Sequence, residues 1–98
     1  MTDIAPGDHE HLRACLPHWQ SKKIVAADKI VDIDVAGIPF DGHIVITTEN
    51  GTRLKQLGSW YVKHEPNVGG YFVLYKDGYA SYSPAEPFEE GNVAIPKE

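Results

Sequence analysis

The stretch Gly69–Gly91, GGYFVLYKDGYASYSPAEPFEEG, most constrains what this chain can fold into. Tyr71–Tyr75 and Tyr79–Ser83 read as two strands paired around Lys76-Asp77-Gly78. Successive side chains on a strand point to opposite faces, so Tyr71, Val73 and Tyr75 share one face and Phe72 and Leu74 the other. A strand apolar on both sides is central in its sheet or covered on each face, which makes this hairpin the expected packing centre. Ser83-Pro84-Ala85-Glu86 has the pattern of a capping box with Pro at the first helical position. Pro87 limits that helix to one or two turns, Phe88 can fold back onto the sheet, and Gly91 suits the stop. Val93–Ile95 reads as a last edge strand, ended by Pro96.

Upstream, Lys23–Val35 reads as a strand in which the apolar parity changes. Ile24, Ala26 and Ile30 fall on one parity, whereas Val31, Ile33 and Val35 fall on the other. A straight strand cannot bury both sets on one side, so a bulge is expected near Ala26–Asp28. Gly37–Gly42 is a connection with a turn at Asp41-Gly42. His43–Thr48 and Thr52–Leu57 form a hairpin. A three-residue loop with Gly51 in the left-handed region pairs Ile46 with Leu54 and Val45 with Lys55. It separates apolar from charged residues better than a two-residue turn at Asn50-Gly51, which pairs Ile46 with Lys55. Ser59–Glu65 carries strand-favouring Trp60, Tyr61 and Val62, yet Gly58-Ser59 and Pro66 frame a short helix with Ser59 as N-cap.

The expected fold is therefore small α+β and β-dominated. It is a curled antiparallel sheet of four to six strands, on the way to a partial small barrel, with two short helices at 59–64 and 84–90. A length of 98 residues allows one domain, expected over 21–96. Residues 1–20 lack a sustained period and are broken by Pro6-Gly7 and Pro17, so they read as a flexible or loosely docked arm anchored by Trp19, with Asp8 capping a turn over Glu10–Cys15.

Composition removes several function classes. Net charge is −5, with near balance over residues 22–76. The acid gathers in the tail, where Asp77, Glu86, Glu89, Glu90 and Glu98 face only Lys97. No basic stripe neutralises phosphates, so no nucleic-acid partner is expected. Cys15 is the single cysteine, which precludes an intrachain disulfide and fits a reducing cytoplasm. There is no apolar run near about 18 residues and no leader pattern at the start, so no membrane partner is expected.

Asp8, His9, His11, Cys15 and His18 are the residue types that bind zinc, but Pro17 interrupts the helix face that His11, Cys15 and His18 would need to share. A polar arm that happens to hold these groups is the simpler reading, and no cofactor is expected. Cys15 with His18 lacks the fixed geometry and oxyanion pocket that thiol catalysis requires. Glu86, Glu89 and Glu90 read as capping and a solvated helix face, and Gly69-Gly70 as a tight turn. His43 and His64 are isolated. No catalytic residue is assigned. Tyr71, Tyr75 and Tyr79 can share one face in the three-residue-loop register and are the candidate partner-binding face.

The run KHEPNVGGYFVLYKDGYASYSPAEPFEEG, Lys63–Gly91, resembles a group of small phage and prophage proteins with a KH-x-P-x-x-GGY hairpin, a DGY turn, an S-x-SPA segment and an FEEGY ending. Weaker similarity extends upstream to Ser21. Residues 1–18 lie outside the pattern, and Asn92 departs from it, since the relatives tend to carry an aromatic residue there. The resemblance favours a helix at 59–64 and carries no catalytic residue with it. It implies a non-enzymatic phage or prophage accessory protein of the host cytoplasm that binds a protein partner, with a homo-oligomer open. The alternatives are a minor virion or assembly component, and a metal-binding protein built on the N-terminal His/Cys segment.

Overall fold

In the computed structural model, residues 3–20 and 24–95 are described. The expected strand start at Lys23, the domain boundary at 21 and the stop at Pro96 lie outside them. The longest strand, β2 (Ile24–Asp34), organises the sheet. Its first half pairs with β1 (His18–Gln20) and with β5 (Tyr71–Leu74), and its second half with β3 (His43–Thr48), all antiparallel. β3 continues to β4 (Arg53–Leu57), β5 to β6 (Ala80–Ser83), and β1 to β7 (Val93–Ile95). The result is an open, branched antiparallel sheet of seven strands among the described residues. The fold is the expected β-dominated α+β class. The strand count rises above the expected four to six because His18–Gln20 joins the sheet. The tyrosine hairpin is one arm of the sheet, and β2 is its hub.

The parity change in β2 is real, but it lies further along than Ala26–Asp28. Ile30 pairs with Thr48 and Asp32 with Thr47, so Val31 is the extra residue. Before it, Ala26 and Ile30 enter the larger core while Val25 and Ala27 enter a second one; after it, Ile33 packs on the larger core. Val31 itself is exposed. The bulge falls where β5 stops pairing and β3 takes over, so it bends the sheet at the change of partner.

The β3–β4 hairpin takes the three-residue-loop register, with Ile46 opposite Leu54 and Val45 opposite Lys55. Gly51 sits in the left-handed region at φ +89°. The β5–β6 hairpin repeats this arrangement, with Gly78 at φ +89°. Every residue of β5 is buried, as apolarity on both faces requires. The larger core lies inside the curl, where Ile44, Ile46, Leu54, Phe72 and Leu74 meet Trp60. The second core covers the opposite face of β2 and β5 with Phe88 and Trp19.

Four short helices complete the described chain: α1 (His9–Cys15), α2 (Ile38–Asp41), α3 (Gly58–His64) and α4 (Ala85–Gly91). Only the last two were expected as helices. α3 starts one residue early, so Ser59 is inside it and Leu57 holds the N-cap position. The capping box at Ser83–Glu86 does not form. Ser83 stays in the ladder opposite Tyr71, and Pro84, extended at ψ 151°, takes the N-cap position without a side-chain bond.

Residues 3–20, read from sequence as a flexible or loosely docked arm, contribute Ile4, Leu12 and Leu16 to the larger core and β1 to the sheet. Leu12 and Leu16 are four apart and project from the same side of α1 and its end. Trp19 is the anchor expected of it. Its Nε1–H donates to Ala27 O at 3.0 Å, and its ring meets Tyr71 and Phe88 edge-on at 5.5 and 5.0 Å.

Candidate protein-interaction surface

The three candidate tyrosines divide. Tyr71 is 5% exposed and stacks on Phe88 at 4.3 Å. Its hydroxyl donates to Glu89 at 2.7 Å, and Lys29 reaches the same carboxylate at 3.5 Å. Burial, reinforced by Glu89, pushes the Tyr71 phenol far above its usual value. The hydrogen bond from Tyr71 holds the Glu89 carboxyl below the usual carboxylate range. Tyr71 is therefore architecture, and Glu89 is its partner. Tyr75 and Tyr79 face each other across the hairpin end, ring centres 6.0 Å apart, with Tyr79 46% exposed. Lys63 Nζ lies 5.6 Å over the Tyr79 ring. His64 sits between Trp60 and Tyr79, and burial lowers its pKa.

At the other end of β2 lies an exposed apolar group that the sequence reading did not single out. Val35, Ile38 and Leu57 are each about two-fifths to one-half exposed, and Phe40 is 88% exposed. These residues come from the end of β2, from α2 and from the end of β4. α2 is a tightly tied turn. Phe40, Asp41 and Gly42 all donate backbone N–H groups to Gly37 O, and Gly58 N–H donates to Gly42 O at 2.7 Å. Asp41 Oδ1 accepts the His43 backbone N–H at 3.0 Å, and Asp41 Oδ2 lies 3.6 Å from Lys55 Nζ. The bond from His43 holds the Asp41 carboxyl below its usual value. Gly42 closes the turn at φ +76°, a conformation that favours glycine. Phe40 is thus carried outward on a fixed platform. The available sequence signal was an aromatic inside GIPFDG, a connection too short and too rich in Gly and Pro to bury one.

The N-terminal polar groups do not converge. His11 turns to Asp8 at 3.5 Å, His9 packs over Gly78, and His18 Nε2 lies 3.0 Å from Arg13 O. Cys15 packs against the larger core, and its carbonyl accepts from Asn50 Nδ2 at 2.7 Å. Among the described residues no three His, Cys, Asp or Glu side chains are grouped to hold a metal ion. Glu86 and Glu90 are exposed on α4, and Gly69-Gly70 forms a turn whose Gly69 N–H donates to Ile30 O. Among the described residues no helix is long and apolar enough to cross a membrane.

Comparison with protein families finds no match, and neither does comparison with curated proteins. Among solved structures, the monomeric form of the phage L decoration protein, determined in solution by NMR, is similar in fold. The TM-score is 0.59 at 22% sequence identity, and the match covers 78% of this chain and 57% of that one. The chain therefore spans little more than half the length of the decoration protein it matches.

Proposed function

We propose that the chain is a non-enzymatic phage accessory protein that attaches to the surface of an assembled phage protein as a minor virion component. The observation that carries this reading is Phe40, 88% exposed on a hydrogen-bonded turn. A fixed aromatic with exposed apolar neighbours is the composition of a binding anchor. The fold shared with a decoration protein supports a virion surface as the partner over a soluble host protein. On this reading the chain is made in the host cytoplasm and needs no cofactor.

The test uses heads of the encoding phage assembled without the chain. Mixed with purified protein and separated on a density gradient, they should carry it with them. Burying one Phe side chain is worth about 1.5–3 kcal/mol. Phe40→Ala should therefore weaken attachment by about 10- to 100-fold with an unchanged circular dichroism spectrum. Protein that stays at the top of the gradient at saturating concentration, or Phe40→Ala that attaches as tightly as wild type, overturns the reading.

A further inference from the structure

The chain has three asparagines, and only Asn50 is followed by glycine; Asn67 and Asn92 both precede valine. A backbone amide nitrogen can attack the side-chain carbonyl of the asparagine before it. The approach is least hindered where the attacking residue has no Cβ, and it is crowded where that residue is β-branched. Asn50-Gly51 is therefore the place where this chain can modify itself, with water as the only co-reactant. The pair lies at the tip of the β3–β4 hairpin, on an opening of about 350 Å³ that it shares with Ile4 and Cys15, so water reaches it.

The fold occupies both reacting groups. The attacking group, Gly51 N–H, donates to Thr48 O at 2.9 Å. Asn50 Oδ1 accepts from Thr48 Oγ1, Thr52 N–H and Thr52 Oγ1, and Nδ2 donates to Cys15 O at 2.7 Å. Ring closure turns Asn50 Cγ toward Gly51 N, which carries Nδ2 away from Cys15 O and breaks these bonds together. The ties to Thr48 and Thr52 belong to the hairpin and would form in it alone. The tie to Cys15 O exists only while residues 3–20 are docked. The backbone N–H of Asn50 is held as well, by Asp28 Oδ2 at 2.8 Å, and Asp28 is buried.

We propose that Asn50 is a deamidation site whose rate is set by the docking of the N-terminal segment, residues 3–20. When the segment lifts, Gly51 N attacks Asn50 Cγ. The N–Cγ bond forms, the Cγ–Nδ2 bond breaks, and the Gly51 proton leaves with the departing amide as ammonia. Water then opens the cyclic imide at either of its carbonyls and leaves aspartate or isoaspartate. Neither product restores the tie to the segment. Aspartate sets a charged acceptor against Cys15 O, in a loop whose backbone already binds the Asp28 carboxylate. Isoaspartate adds a carbon to the backbone of the loop that Gly51 closes at φ +89°. The modified chain therefore holds its segment less tightly. The outer edge of β4 is uncovered where Ile4 N–H now donates to Arg53 O and Lys55 N–H to Ile4 O. The change is one-way, so a lapse in docking is recorded in the covalent structure.

The test incubates the full chain and a synthetic peptide of residues 48–53 side by side in mildly alkaline buffer. Peptide mapping follows the mass gain of exchanging NH2 for OH. The peptide should convert at Asn50, and the folded chain at least about 100-fold more slowly, because the bonds around the pair must open first. Leu16→Ala loosens the segment and keeps every group that bonds Asn50, so it should speed conversion at least about tenfold. In wild type, urea below the unfolding midpoint should raise conversion and tryptic cleavage after Arg13 of α1 together, which keeps the test readable if Leu16→Ala does not fold. Wild-type chain isolated after conversion should be cut after Arg13 at least about tenfold faster than unconverted chain. Several results overturn the proposal: folded chain that converts as fast as the peptide, conversion at Asn67 or Asn92 ahead of Asn50, a rate that neither Leu16→Ala nor urea moves, or unchanged cleavage after Arg13. Conversion is read on the free chain, so it stands or falls apart from head attachment through Phe40.

Discussion

Leu16→Ala tests whether the N-terminal segment is part of the fold or an attachment to it. Leu16 is fully buried, and Leu12 and Ile4 are nearly so. The backbone on either side is held: Leu16 N–H donates to Leu12 O at 3.1 Å, and Pro17 O accepts from Ala27 N–H at 2.7 Å. The surroundings can therefore collapse only partly into the space left by the side chain. Leu→Ala changes in cores cost roughly 2–5 kcal/mol, more where collapse is restricted. Taking about 3 kcal/mol, and about 4–8 °C per kcal/mol for a domain of this size, the melting midpoint should fall by about 12–24 °C. Thermal unfolding followed by circular dichroism reads the shift, with urea unfolding as a check. The urea slope should stay constant, because the same surface is exposed on unfolding. Val93→Ala, at a side chain 73% exposed, is the control and should change stability by less than about 0.5 kcal/mol. A Leu16→Ala protein that melts within about 3 °C of wild type would mean that residues 3–20 do not share the core, and the account of the larger core would fail with them.

Three further outcomes follow from particular contacts. Asn50 Oδ1 accepts from Thr48 Oγ1, Thr52 N–H and Thr52 Oγ1 while its Nδ2 donates to Cys15 O; Asn50→Asp sets an acceptor against that carbonyl and should cost about 1–3 kcal/mol in urea unfolding. A Cβ on Gly70 would overlap the Tyr82 ring, so Gly70→Ala should cost about 1–3 kcal/mol, and a double-mutant cycle with Tyr82→Ala should recover most of it. Because the hydrogen bond from Tyr71 lowers the Glu89 pKa, its contribution is full above the unfolded carboxylate value and disappears as pH falls through the lowered folded value. The urea midpoint of wild type should therefore exceed that of Tyr71→Phe at pH 7, and part of that gap should close at acid pH; a gap that widens on acidification contradicts the assignment.

Local rules made most of the sheet legible. The register of β3–β4 follows from separating Ile46 and Leu54 from Val45 and Lys55, a decision between two pairings that pleat and turn geometry make unequal. The parity break in β2 was readable as a need, since no straight strand buries both Ala26 and Ile33. Its position was not, because the bulge at Val31 is set by where β5 gives way to β3, which no local feature encodes. The docking of residues 3–20 was hidden for a related reason. Leu12 and Leu16 look sparse along the chain, and they become core only because the curl of β2 leaves a space above Ala26 and Ile30 for α1 to cover. Likewise the pattern at Ser83–Glu86 is that of a cap, but the cross-strand pairing of Ser83 with Tyr71 outcompetes it.

The candidate binding surfaces were less legible than the fold because they are made by what a position lacks. Tyr71 reads from the sequence as part of a face with Tyr75 and Tyr79, yet large aromatics in a small domain are the first residues recruited to cover a sheet, and Phe88 and Trp19 complete the burial of Tyr71. Phe40 is the reverse case. Its neighbours Pro39, Asp41 and Gly42 build a turn tied by hydrogen bonds within Gly37–His43, to Val35 O and from Gly58 N–H, and the turn leaves its ring 88% exposed. Burying Phe40 would release about 1.5–3 kcal/mol that the isolated chain cannot recover. A partner can recover it, and the turn is already fixed, so binding need not order it first.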